Sequence, residues 1–214
     1  MQVYCYVWHQ PFPHSCRLAA ILPDEDPWPI VFTKKYLCRH YTAPNRRHTA
    51  MRMHDKPTIE VEIFIAAPPA QVWELVTDLQ LMGHWSPEYQ DGEWLDGATG
   101  PSVGARFKGR NKRREREWES VSTVLEAAPG RSFVWAVGNP TNPAATWRFD
   151  LTPDGSGTRV RQHVQLGPGP SGLTARIAEL PDREEDIVAA RTAELHRNMQ
   201  TTLAGLRAAA EQGS

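Results

Sequence analysis

The spacing of apolar residues changes period three times along residues 58–212, and that order constrains the fold more than any single motif. The run TIEVEIFI sets Ile59, Val61, Ile63 and Ile65 against Glu60, Glu62 and Phe64, the period-two signature of a strand with one buried face. Pro68 and Pro69 stop it, and proline's fixed φ suits the first turn of a helix. Val72, Leu75, Val76 and Leu79 then form one helical stripe with Trp73 at its flank, until Gly83 and Pro87 interrupt it.

Period two returns after that. GEWLDG reads as a short strand. In GARFKGRNKR, Phe107, Gly109 and Asn111 alternate with Arg106, Lys108, Arg110 and Lys112; in EREWESVSTVLEAAPG, Trp118, Ser120, Ser122 and Val124 alternate with Glu117 and Glu119. RSFVWAVG and ATWRFDL continue the sheet, and PDGSG is a hairpin turn leading into TRVRQHVQL, where Val160, Gln162, Val164 and Leu166 share a face. The last element is helical. Asp182 is the expected N-cap with Glu185 three residues on, and the stripe runs through Val188, Thr192, Leu195, Met199, Thr202, Leu206 and Ala210. Packing against a sheet is the expected use of that stripe, since a coiled coil would not place two threonines in so short a seam.

This order predicts an α+β fold in which a curved antiparallel sheet covers its apolar face with the C-terminal helix. A sheet curled that strongly around one helix leaves a cavity on its inner surface, and such a cavity takes a small apolar molecule.

Residues 1–50 stand apart from this pattern. They hold all three cysteines and six prolines without sustained periodicity, and are expected to be a poorly structured or loosely attached extension of a domain spanning 51–214. A misplaced start codon, with Met51 or Met53 the natural first residue, is a further expectation. Cys5, His9, His14, Cys16, Cys38 and His40 lack the paired spacing of a zinc site, and three cysteines leave one without a disulfide partner. No metal and no cofactor are therefore expected. A formal net charge of −1 gives no overall field to attract nucleic acid. With no apolar run of membrane length and no signal-peptide order at the N-terminus, a cytoplasmic location is expected. Arginine outnumbers lysine 19 to 5, which suits a GC-rich bacterial genome.

Several segments together resemble the polyketide cyclase/dehydrase group of the START-like (SRPBCC) superfamily. They are APPAQVW at 67–73 with Asp78 and Trp85, VGARF at 103–107, APGR at 128–131, WRFDL at 147–151 and GTRV at 157–160. The resemblance spans about residues 57–211 and implies a helix-grip fold, also called START or Bet v 1-like, around a deep hydrophobic cavity. It does not imply one activity, because the superfamily is similar in architecture to lipid-transfer domains, hormone receptors, aromatase/cyclases and ribosome-associated toxins.

Alternation assigns Phe107, Asn111, Trp118, Ser120, Trp135, Trp147, Phe149, Gln162 and Val164 to the cavity wall, closed by Leu195 and Met199 from the last helix. The flat aromatic rings suit a ring-bearing or polyisoprenoid-like ligand, and Asn111, Ser120 and Gln162 suit its polar groups. The expected function is noncovalent binding of a hydrophobic or aromatic, lipid- or polyketide-like molecule. The alternative is a polyketide cyclase or aromatase, which needs an acid and a base near the substrate; the candidates are His84 and Glu88 at the cavity mouth. A third reading takes the basic run from Arg106 to Arg116 as an interaction face for RNA or an acidic partner, although Glu115, Glu117 and Glu119 follow at once and favour a solvated face of alternating charge. Oligomeric state and ligand identity are not specified by these patterns.

Overall fold

Seven strands form one antiparallel sheet in the computed structural model, which describes residues 51–212. The strands are β1 (Thr58–Ile65), β2 (Tyr89–Trp94), β3 (Arg106–Arg113), β4 (Arg116–Ala128), β5 (Ser132–Asn139), β6 (Asn142–Asp154) and β7 (Gly157–Leu166). Their order is β1-β7-β6-β5-β4-β3-β2. From β2 to β7 the chain is thus a meander of hairpins, while β1 closes the far edge by pairing with β7 over Thr58–Gln165 to Ile65–Thr158. The chain passes from one edge of the sheet to the other through helices α1 (Pro69–Thr77) and α2 (Met82–Trp85). The sheet curls into a half-barrel and grips the long C-terminal helix α4 (Glu184–Gln212).

Local chemistry accounts for these elements. Pro68 in extended geometry and Pro69 at the first helical position start α1, where a missing N–H leaves no helical bond unmade. Asp78 Oδ1 accepts from the amides of Gln80 (2.8 Å) and Leu81 (2.9 Å), which turns the chain into α2. A register shift between Val124 and Glu126 bends β4 and leaves Leu125 41 % exposed, as an extra residue in one strand does.

Two features depart from the sequence expectation. The stretch after β7 forms a further helix, α3 (Gly172–Glu179), capped reciprocally by Ser171 and Thr174. Its flanking prolines and glycines read as loop. Asp182 is not the N-cap of the last helix; it sits in a 3-10 turn, Pro181–Arg183, that runs directly into α4 at Glu184. The carboxylates next in line instead tie the helix start to residues before β1. Glu184 Oε1 accepts from the Met53 amide and Glu185 Oε1 from Arg52 Nε, both at 2.9 Å.

The core divides along α4. Toward the helix C-terminus, Leu203, Leu206 and Ala210 pack with Val72 and Val76 of α1 and with Ile65, Phe133 and Val160 of the sheet. Toward its N-terminus, Val188, Leu195 and Met199 pack with Ile59, Val164 and Leu166. The leader residues Cys5, His9, His14, Cys16, Cys38 and His40 lie outside the described residues. Among the described residues, no helix is long and apolar enough to cross a membrane, and no three His, Cys, Asp or Glu side chains gather to hold a metal ion.

Candidate functional site

A cavity of about 110 Å³ lies between the sheet and α4. Its floor comes from inward positions on five consecutive strands: Phe107 and Asn111 of β3, Ser120 and Ser122 of β4, Trp135 and Val137 of β5, Trp147 of β6 and Gln162 of β7. The helix contributes Leu195, Asn198, Met199 and Thr202, and the segment around α2 closes the mouth with Met82, Ser86, Glu88 and Tyr89.

Aromatic contacts stiffen one wall. The rings of Trp135 and Trp147 stack at 6.2 Å with only 10° between their planes, and Phe107 meets Trp135 edge-on at 6.2 Å. Trp94 in turn packs edge-on against Phe107 at 5.5 Å. Offset and T-shaped pairs of this kind hold ring orientation beyond what area burial alone does.

Tyr89 is positioned by what its neighbours lack. Gly92 of β2 pairs with Gly109 of β3, and the phenol ring lies across both: a Cβ at Gly92 would come 2.2 Å from the Tyr89 hydroxyl, and one at Gly109 would come 2.7 Å from the ring. The hydroxyl donates to the Leu79 carbonyl at 3.0 Å. Burial foremost, with Asp91 and Asp78 adding to it, pushes the phenol's pKa far above its ordinary value, so it remains a neutral donor.

Above the cavity runs a chain of charge. Glu88 accepts two bonds from the Arg191 guanidinium, at 2.7 and 2.8 Å, and Arg191 also bonds Glu194 at 3.0 Å. Glu194 in turn pairs with Arg113 at 2.7 Å. This links the mouth segment, α4 and the end of β3. Burial opposes the Arg191 charge, but its bonds to Glu88 and Glu194 more than offset that and raise its pKa. Burial likewise works against the charged form of Glu194, yet bonds from Arg113 and Arg191 prevail and hold its carboxyl below the ordinary range.

Eight of the side chains that alternation assigns to the cavity lie on its wall: Phe107, Asn111, Ser120, Trp135, Trp147, Gln162, Leu195 and Met199. Three do not. Phe149 and Val164 are sealed into the core at 1 % and 0 % exposure, Phe149 behind the ring of Trp135. Trp118 pairs opposite Asn111 near the end of the hairpin, past the cavity, where the Arg116 guanidinium covers its ring at 5.8 Å. The acid–base pair of His84 and Glu88 does not form either. His84 is exposed and off the wall, whereas Glu88 is on it and engaged by Arg191. Residues not selected from the sequence enter through geometry. Ser122 and Thr202 already sit on inward stripes and were legible there, but Met82, Ser86, Tyr89 and Asn198 depend on how the mouth segment folds over.

Four basic residues of the run are matched by carboxylates on or beside neighbouring strands. Arg106 pairs with Asp96, Lys108 with Glu93 and Glu119, Arg110 with Asp91, and Lys112 with Glu117. From Arg106 to Lys112 the outer face of β2–β3–β4 is therefore a lattice of alternating charge.

A curled antiparallel sheet gripping a C-terminal helix over an aromatic cavity defines a helix-grip protein. The chain belongs to the family described as polyketide cyclase / dehydrase and lipid transport, whose model matches residues 56–211. Among solved structures it is similar to the Polyketide_cyc-like protein Cgl2372 of Corynebacterium glutamicum, at 33% identity over 70% of this chain and 88% of that one, with a TM-score of 0.53. Its fold is also that of protein NE0264 of Nitrosomonas europaea (19% identity, 74% and 96% covered, TM-score 0.53). The di-domain ARO/CYC StfQ of the steffimycin biosynthetic pathway shares the fold at 16% identity over 72% of this chain and 50% of StfQ, with a TM-score of 0.58. No curated protein matches the chain.

Proposed function

We propose that this protein binds a small ring-bearing molecule noncovalently in the cavity between sheet and α4. The observation that carries this reading is the cavity itself, open beside the stacked Trp135–Trp147 wall. Flat aromatic walls favour flat ligands, and the volume is of the same order as the roughly 150 Å³ cavity that takes up benzene. One ring enters without repacking; two fused rings, a long lipid tail or a larger system require the mouth to open. Phe107, Leu195 and Met199 supply apolar contact, and Asn111, Ser120 and Gln162 orient the polar groups. The family's description covers both ring-forming chemistry and lipid transport, and each needs an enclosed apolar site.

A second reading, turnover of a polyketide-like substrate, is favoured by Glu88 and Tyr89 reaching the cavity. It is the weaker one. Both Glu88 oxygens already accept from Arg191, so taking a proton from a substrate would break that pair. Paired native and denaturing mass spectrometry of protein purified from its own host tests the binding reading. A small molecule retained natively and released on unfolding is expected, lost in Trp147→Ala and kept in His84→Ala. No retained mass, together with no uptake of one- or two-ring aromatics added to the purified protein, would refute it.

A further inference from the structure

Among the described residues, Gln162 Oε1 is the buried side-chain polar atom left without a hydrogen bond. The residue is 6 % exposed. It lies on β7 between Val160 and Val164, opposite Val61 of β1 and Phe149 of β6. Every one of those neighbours is apolar, and period two would accept a leucine or methionine at this position. An amide oxygen buried without a partner weakens the fold instead.

Several of the cavity's other polar groups are already engaged. Asn111 Nδ2 donates to Ser120 Oγ at 3.2 Å, Glu88 is held by Arg191, and the Tyr89 hydroxyl donates to Leu79. No group on the wall donates to Gln162 Oε1. We infer that the ligand carries a donor, and that the amide of Gln162, a residue of the cavity wall, turns about its soft terminal torsion so that Oε1 becomes the specificity-determining acceptor for a hydroxyl or N–H borne on an aromatic ring. This rests on the binding reading above and narrows it: the ligand class is phenol-like or an N–H heteroaromatic of one ring, not a hydrocarbon. A pure hydrocarbon would bury the same oxygen still unpaired, whereas a ring donor exchanges its bond to water for one inside the protein. A trapped water would also satisfy the oxygen, and the test separates the two.

The test is calorimetric titration of the full chain with phenol, anisole and benzene, in the wild type, Gln162→Leu and Gln162→Met. The three probes share one ring, and only phenol donates. The wild type is expected to favour phenol over the methyl ether by roughly tenfold, the value of one well-made hydrogen bond. Both variants should lose that preference while holding benzene at least as tightly. A preference that survives in both variants, or losses equal for all three probes, overturns the inference and leaves cavity binding standing. Failure of both variants to fold makes Gln162 structural and overturns it too. If the wild type takes up none of the three probes, the binding reading itself falls.

Discussion

The two ends of the sheet's inner surface lie under the same helix and obey the same period, yet one is sealed and the other open. At the sealed end the inward positions hold Ile65, Phe133, Leu203 and Leu206, each 1 % exposed or less, and α1 fills the remaining space. At the open end the equivalent positions hold Asn111, Ser120, Ser122, Gln162 and Thr202. Small and polar side chains there cannot close the gap between a curled sheet and a straight helix. The difference teaches that packing and ligand space are divided along α4. The clusters around Leu206 and around Val188 carry the burial that lets the stretch between them stay unfilled.

The largest effect should come from attacking the sealed end. Phe133 is fully buried between Trp73 and Trp135, so Phe133→Ala should lower the unfolding free energy by about 3–5 kcal/mol. Urea denaturation reads it, and a loss under about 1 kcal/mol would mean that the two ends are not energetically distinct.

Next in size is the charged rim. Arg191→Met leaves Glu88 and Glu194 side by side without their shared partner. Because these side chains retain 15–21 % exposure, the loss should be roughly 2 kcal/mol, below the 3–5 expected for a fully buried pair. The same rim gives a pH signature. Glu194 has a folded pKa below its ordinary value of 4.5, so the stability it contributes is complete above about that pH and lost as pH falls below it. The difference between wild type and Glu194→Gln in denaturation midpoint should accordingly shrink on going from neutral pH to below 4.5. A constant difference would show that Glu194 acts through packing and not through its charge.

At the open end the sign should reverse. Replacing the unpaired amide of Gln162 by leucine removes a buried polar cost and should stabilise the ligand-free protein by about 1 kcal/mol. A destabilised Gln162→Leu would mean that this position belongs energetically to the sealed end.

Much of this division was legible in the sequence. Alternation in TRVRQHVQL places Gln162 among valines on the inward face, and the helical stripe carries Leu195 and Met199 to the wall. Period two reports which face a residue takes, but not how far along the strand the cavity reaches. That is why Phe149, Val164 and Trp118 share the inward face without lining the cavity: the first two are sealed by neighbours contributed from elsewhere in the chain, and the third lies past the end of the space. The mouth was legible only in part: the segment holding Glu88 could be placed there, but not the contacts that fix it. Tyr89 takes its place because two glycines on paired strands leave room for its ring, and Glu88 takes its place through Arg191, more than a hundred residues later. Long-range pairing of this kind leaves no periodicity. The helix α3 was hidden because its glycine and proline flanks signal a loop, while the Ser171 cap that starts it is a single residue.

The smallest effect is expected on the outer face of the same strands that floor the cavity. Lys112 and Glu117 face each other across β3 and β4, bonded at 2.9 Å and half or more exposed. In water such a pair gains little attraction beyond what each ion has from solvent, and holding two long side chains in one geometry opposes it. Lys112→Ala should therefore leave the denaturation midpoint unchanged within error, in low salt and high salt alike. The same lattice bears on nucleic acid. Contacts to phosphate would need Arg110 and its neighbours to leave their carboxylates, so RNA binding measured across a salt series should be absent, and reversing Arg110 to Glu should change nothing in that assay. Salt-sensitive RNA binding abolished by Arg110→Glu would instead make the outer face a second working surface, and the contrast would lie between inside and outside rather than between the two ends of α4.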